Sequence, residues 1–444
     1  MKKAHIQTFG CQMNDYDSRR MEEILEKEGY EVTPDYANAD LILLNTCSVR
    51  ENPENKVYSQ LGRLRRLKEK NPEIIIGVGG CVAQQEGENL LKREKCLNLV
   101  FGTDQIFQLP AMLQEVRQGL RVLNTGWAAR ERKIQNFIPD EALESTGIDG
   151  CKASIAITKG CDNHCTFCIV PKTRGTEVSR EPENIIQEAK SLISKGAREI
   201  TLLGQNVNSY RAGETGFYEL LKTLADLEGL QRLRFTSPHP NDWNNALSDL
   251  MTEHPVICNQ LHLPFQAGSD RILKLMRRGH TMEEYIAKVL YLKQINPGIE
   301  ISTDLIVGFP GESEEEFEMT LKVMETVRFS QVYAFKYSPR PGTKAAEFTD
   351  NVPGEVKESR LQKVLDLHNQ ITSQQLDFFV GKTLQVLIDS AHPREQGTMS
   401  GRTEGNRPVM VRDSSLDIGA LIPVHVTGRR AHSLEGESIA SAPA

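Results

Sequence analysis

No stretch of this chain stays apolar for the roughly 18–20 residues that a membrane helix requires, which excludes a spanning helix. The start, Met-Lys-Lys-Ala-His-Ile-Gln, runs straight into a short strand pattern and lacks the apolar segment of a secretory signal. An excess of positive charge is also missing: 53 Lys and Arg against 60 Asp and Glu give a net charge of −7. Bulk polycation binding is thereby excluded, and any RNA contact falls to local basic patches. One such patch is Arg63-Leu-Arg65-Arg66-Leu-Lys68-Glu-Lys70, although a run of this kind taken alone is more often a solvated helix face. What the chain does have is cysteine, nine in 444 residues. Without a secretory leader, that number points to metal or redox use in a reducing, cytoplasmic setting. The length predicts two to four domains.

Three of the cysteines fall in eight residues, Cys161-Asp-Asn-His-Cys165-Thr-Phe-Cys168, directly after a strand pattern over 153–158. A loop with this spacing can wrap three thiolates around one metal centre. A cubane 4Fe-4S cluster normally takes four thiolates. Three would leave one iron open to the amino and carboxylate groups of S-adenosylmethionine. Zinc is the alternative, with His164 or a distant residue as fourth ligand. Phe167 fits a shielding or adenine-stacking role beside such a centre, or ordinary packing.

Residues 1–120 alternate strand and helix. Strand patterns at 4–9, 40–45, 73–78 and 97–101 are separated by helical patterns at 15–27, 53–70, 83–93 and 105–117, which predicts a parallel sheet covered on both faces. Cys11, Cys47 and Cys81 each follow one of the first three strands, 36 and 34 residues apart, about one βαβ unit each time. Parallel strands bring equivalent ends side by side, and ligands bind beyond their carboxyl ends. The three thiols are therefore expected to converge on one rim as a second metal site. Glycines beside Cys11 and Cys81 allow close backbone approach. Cys96, Cys151 and Cys258 lack this positional logic and read as structural thiols.

A connecting segment is expected over 121–150. Six further βα units follow, with strands near 153–158, 199–203, 232–236, 258–263, 300–307 and 330–335. Six units are too few to close an eight-unit barrel, so a partial (β/α)6 barrel is predicted. Its strand ends carry Gln205, Asn206, Gln266, Thr303 and Asp304, candidates for cradling S-adenosylmethionine. Beyond residue 380 the pattern becomes short strands between Gly-rich turns, a small all-β barrel or sandwich. Its charges balance, yet Arg402, Arg407, Arg429 and Arg430 could share one RNA-facing surface.

With both cysteine sets and the β tail placed, the chain resembles the radical S-adenosylmethionine methylthiotransferase family over essentially its whole length. The resemblance is carried by Gly10-Cys-Gln-Met-Asn14, Asn45-Thr-Cys-Ser-Val-Arg-Glu51, Gly80-Cys-Val-Ala-Gln84 and Cys168-Ile-Val-Pro-Lys-Thr-Arg-Gly175. Leu202–Tyr210, Ser237-Pro-His-Pro240, Ala334–Gly342, Gly401–Arg407 and Ser433–Glu437 add to it. It implies an α/β architecture of three parts: an N-terminal methylthiotransferase domain over 3–120, a radical core over 147–378 and a TRAM domain over 379–442. It further implies a radical cluster on Cys161, Cys165 and Cys168, an auxiliary 4Fe-4S cluster on Cys11, Cys47 and Cys81, and S-adenosylmethionine as radical source and methyl donor. The implied partners are tRNA, an electron donor and a sulfur or cluster donor. Gln12-Met13-Asn14 favours the branch that acts on isopentenyladenosine beside the anticodon. Branches acting on another modified adenosine or on a ribosomal-protein aspartate remain alternatives, as does a non-catalytic metal-binding RNA module.

Overall fold

The computed structural model describes residues 2–48, 51–127, 133–143 and 147–439, without the side chains of 51–55. Val49 and Arg50 of the segment Asn45–Glu51, and positions 440–442 of the expected last domain, lie outside the described residues.

The N-terminal region is a six-stranded, wholly parallel sheet. Its spatial order is Tyr30–Val32, Lys2–Thr8, Leu41–Thr46, Ile75–Gly80, Leu99–Phe101 and Val122–Asn124. The central strand Leu41–Thr46 is buried along its whole length, as a strand covered on both faces must be. Alternation sorts its residues. Leu41 and Leu43 join Met21, Leu25 and Leu113 in one core, while Ile42 and Leu44 join Val57, Leu61 and Leu64 in the other. Helices Gln12–Lys27 and Leu109–Arg117 thus cover one face, and Glu51–Lys70 and Cys81–Arg93 the other. The two edge strands were not expected. Tyr30–Val32 and Val122–Asn124 are three residues each, too short to show alternation, and the second lies in what reads as a connector.

The middle region is an open half-barrel. Strands Lys152–Ala156, Glu199–Leu203 and Arg232–Phe235 form one parallel sheet, and Gln260–His262, Glu300–Val307 and Gln331–Lys336 another. A bridge between Leu233 and Ile257 joins the two, so six strands run in sequence order. Outward positions such as Ile155, Leu202, Leu233, Leu261, Leu305 and Val332 pack under the helices in one continuous core. Inward positions are polar: Ser154, Thr201, Arg234, Gln260, His262, Ser302 and Asp304 line a cavity of about 640 Å³.

Helix Gly354–Phe379 leads into a closed five-stranded barrel, Thr383–Ala391, Met399–Thr403, Pro408–Val411, Leu421–Arg429 and Leu434–Ser438. It packs under the amino ends of the half-barrel strands. Arg232 donates to the carbonyls of Arg402 (2.7 Å) and Gln385 (3.1 Å), and Arg234 to those of Glu404 (2.7 Å) and Thr403 (3.0 Å). Among the described residues no helix is long and apolar enough to cross a membrane.

Candidate metal centres and their cavity

In the N-terminal sheet the spatial order reverses between Lys2–Thr8 and Leu41–Thr46. Such a reversal opens a crevice at the strands' carboxyl ends. Cys11 follows the first of these strands, Cys47 the second, and Cys81 follows their neighbour Ile75–Gly80. Backbone contacts bring the three loops together. A Cβ at Gly10 would lie 2.6 Å from Cys47 Cβ, and one at Gly80, where φ is +91°, would lie 2.4 Å from the Thr46 carbonyl oxygen. Only glycine fits either place. A polar lattice fixes the same loops. Asn14 Nδ2 donates to Thr46 O (3.0 Å) and Asn45 Oδ1 (3.1 Å), Asn45 Nδ2 returns a bond to Asn14 O (2.8 Å), and Thr46 Oγ1 donates to Gly79 O (2.6 Å). Asn14 and Asn45 lie inside the family-like segments, but only the fold shows them as scaffold.

Cys47 and Cys81 are buried, whereas Cys11 is exposed at the cavity wall. The Cys11 thiol is drawn down to about 6 because Cys47 hydrogen-bonds it, with Arg174 adding to that against the opposing effect of burial. Burial pushes the Cys81 thiol up, with Arg174 opposing.

The second set lies at the carboxyl end of the first half-barrel strand. Cys161 N donates to Gly175 O (3.1 Å) and Cys168 N to Cys165 O (3.1 Å), which curls the loop on itself. Burial raises the Cys161 thiol to about 11. Cys168 is raised to about 12 by burial and then by its neighbours Cys165 and Cys161. Thiols of this kind ionise when a cation takes the charge. Arg278 Nη1 donates to Cys165 Sγ at 3.4 Å, a contact with no signal in the sequence. Asn206 Oδ1, Arg278 Nε and His239 Nε2 are buried without a partner among the described residues, as polar atoms awaiting a ligand would be. Among the described residues no three His, Cys, Asp or Glu side chains close on one point as a single metal ion demands. A cubane cluster takes its thiolates on separate irons. Three thiols per set, glycine-enabled approach and orphaned polar atoms fit the larger group.

The remaining candidates separate. Phe167 is partly buried against the half-barrel core. Gln205 Oε1 accepts from Gly160 N at 2.6 Å, so it holds the loop entering Cys161. Asn206 Nδ2 donates to Asp242 (2.7 Å). Gln266 is buried with φ +70°, and its main chain bridges Asp304 and Ile306. Thr303 points outward at 0% exposure and donates to Leu263 O (3.1 Å), while strand parity sends its neighbour Asp304 inward. Asp304 lines the cavity 3.6 Å from His262.

The four arginines differ in burial. Arg407 is buried, bonded to Glu300 (2.5 Å) and Gln375 (2.8 Å), and so serves as a tether between barrel and core. Arg429 pairs with Asp377 (2.6 Å), Arg430 with Glu395 (2.7 Å), and Arg402 lines the cavity floor. In the basic run, Arg65 pairs with Glu94 (2.7 Å) and Lys68 donates to Asn98 (2.9 Å), inside their own domain.

The two cysteine regions meet at a polar joint. Arg174, six residues after Cys168, donates to Asp17 (2.8 Å), and Lys159 pairs with Asp104 (2.6 Å). Glu188, fully buried, lies between Arg20 of the N-terminal region and Arg180 of the half-barrel. None of these pairs is legible as a pair in the sequence.

Comparison with known proteins divides the chain in the same way. Residues 3–102 match the uncharacterized protein family UPF0004, 155–324 the radical SAM superfamily, and 377–439 the TRAM domain. The tRNA-2-methylthio-N(6)-dimethylallyladenosine synthase of Geotalea uraniireducens (strain Rf4) is 44% identical over 440 residues, 98% of each chain. The protein of that name from Chromohalobacter salexigens is 44% identical over 444 residues, again 98% of each. Among solved structures, the radical S-adenosylmethionine methyltransferase TsrM from Kitasatospora setae superposes with a TM-score of 0.57 at 15% identity. The match covers 78% of this chain and 74% of that one, and shows shared fold alone.

Proposed function

Because this chain belongs to the tRNA-2-methylthio-N(6)-dimethylallyladenosine synthase family, we propose that it is a transferase acting on tRNA. It places a methylthio group on C2 of N6-isopentenyladenosine next to the anticodon. Cys161, Cys165 and Cys168 hold the radical 4Fe-4S cluster, and Cys11, Cys47 and Cys81 hold an auxiliary one. When bound, these groups with S-adenosylmethionine supply a carbon radical able to attack an aromatic C–H that no general base can deprotonate, and the sulfur to be transferred.

The chain's own residues orient and enclose. Gln205 and the Cys161–Gly175 contact fix the radical loop, and Arg278 braces Cys165. The inward row of Ser154, Thr201, His262, Ser302 and Asp304 offers donors and acceptors to a purine edge, in a cavity whose wall includes Cys11. That placement holds a base near a sulfur site, as proximity catalysis requires. An electron donor and a sulfur or cluster donor complete the partner set, and the tRNA substrate puts the work in the cytoplasm.

The observation that carries the reading is the gathering of three strand-end cysteines at the sheet's reversal point, opening on the half-barrel cavity. Nucleoside mass analysis of tRNA from a strain lacking this gene tests it. Methylthio-isopentenyladenosine should disappear and return with the wild-type gene, but not with Cys11→Ala or Cys161→Ala. Persistence of the nucleoside in the deletion strain removes the reading.

A further inference from the structure

We propose that Arg174 is the hydrogen-bond donor to the auxiliary cluster, and that its N–H holds up that cluster's reduction potential. The inference rests on the reading that Cys11, Cys47 and Cys81 carry a 4Fe-4S group.

Arg174 is 3% exposed. Its Nη2 donates to Asp17 Oδ2 at 2.8 Å, while Nη1 is buried with no partner among the described residues. A buried N–H left unpaired on a charged group is strongly disfavoured, so one amid so many satisfied neighbours points to a ligand.

Its place in the fold says which ligand. Asp17 sits on helix Gln12–Lys27, which begins immediately after Cys11. Arg174 ends the short helix Val170–Arg174, which packs against helix Cys81–Arg93. Thr103 Oγ1 locks that helix by donating to Thr173 O at 2.8 Å. The guanidinium is therefore tied both to the helix that follows Cys11, through Asp17, and to the helix that begins at Cys81, two helices on opposite faces of the sheet that start from the same carboxyl rim. Asp17 takes one arm of the planar fork, which fixes the direction of the other. Hydrogen bonds to cluster sulfurs are among the factors that set the potential. Arg174 belongs by sequence to the other cysteine loop, so the donor reaches across from the radical core.

Full-length protein carrying Cys161→Ala, Cys165→Ala and Cys168→Ala isolates the auxiliary cluster. After anaerobic reconstitution it should hold about four irons, and its one-electron potential is read by titration followed by electron paramagnetic resonance. On that background, Arg174→Met combined with Asp17→Asn removes donor and counter-ion together, leaving no buried charge unpaired. The reduced form should become about tenfold less favoured, a fall of about 59 mV. Asp17→Asn alone frees the positive charge and should move the potential the opposite way. If the double variant fails to bind iron, the rise in Asp17→Asn still decides. No shift in either variant, or shifts of the same sign, overturns the role of Arg174 while leaving the cluster assignment standing. An iron-free parent variant overturns the cluster assignment and this inference together.

Discussion

Arg174 Nη2 lies 2.8 Å from Asp17 Oδ2 with the two side chains 3% and 9% exposed, and this pair crosses the joint between the parallel sheet and the half-barrel. Truncating one partner of a buried pair strands the other, at about 3–5 kcal/mol. Asp17→Ala should therefore lower unfolding stability by that amount in urea titrations. Arg19 and Asp149 make a comparable contact at 2.9 Å but are 35% and 67% exposed. Arg19→Ala should cost less than about 1 kcal/mol, because water screens the pair. Equal losses in the two variants would contradict the joint described here.

Gly80→Ala should empty one metal site and spare the other. The new Cβ would meet the Thr46 carbonyl at 2.4 Å in a backbone conformation that L side chains rarely adopt. Relief requires moving Cys81 away from its partners. Iron after reconstitution should fall from about eight to about four per chain, with the signal of the Cys161–Cys168 site retained. A full complement of iron would show that the glycine is dispensable.

The tail's arginines should divide by burial. Arg407→Ala removes the tether to Glu300 and Gln375, so protease cleavage between half-barrel and tail should accelerate. Arg429→Ala with Arg430→Ala touches only exposed ion pairs and should change stability by less than about 1 kcal/mol. If those two side chains turn to phosphate, the double variant also binds tRNA with a shallower salt dependence, by about one to two charges. Unchanged salt slope would remove them from the RNA contact.

Acid should loosen the half-barrel through two histidines. Burial, then the charge of Arg278, lowers His239 to about 2 and His280 to about 4. Both lie below the ordinary value of 6.5, so the unfolded chain binds more protons in between. Their stabilising contribution is present above about pH 6.5. As the pH falls, the His280 share is lost down to about 4 and the His239 share continues to fall toward about 2. The denaturation midpoint measured from pH 7 to pH 4 should drop less steeply in His239→Gln and His280→Gln proteins than in wild type.

The parts legible in the sequence are those that depend on period and spacing. The strand over 300–307 is read to the residue because a run rich in β-branched residues is bounded by Asn296-Pro297-Gly298 on one side and Gly308-Phe309-Pro310 on the other. The Cys11, Cys47 and Cys81 rim is legible because parallel strands repeat at βαβ intervals. Three-residue edge strands carry no period and stay invisible. Thr303 and Asp304 differ only in parity, which fixes opposite faces but not which face is inward. Arg407 and Arg430 look alike in composition, and only packing makes one a buried tether and the other a surface pair. Arg174 sits within a recognisable segment, yet its partner Asp17 lies 157 positions away, beyond the reach of any local pattern.

Arg232 and Arg234 grip the five-stranded barrel entirely by its peptide oxygens. These four contacts are indifferent to which side chains the barrel displays, unlike the Arg407 tether to Glu300 and the Asp389 pair with Lys152. The rest of the barrel's outer surface can be rewritten for a different nucleic acid without loosening the seal beneath the half-barrel, provided strand register is kept. A single inserted residue in Met399–Thr403 would do what no surface substitution can, by sliding those oxygens out of reach.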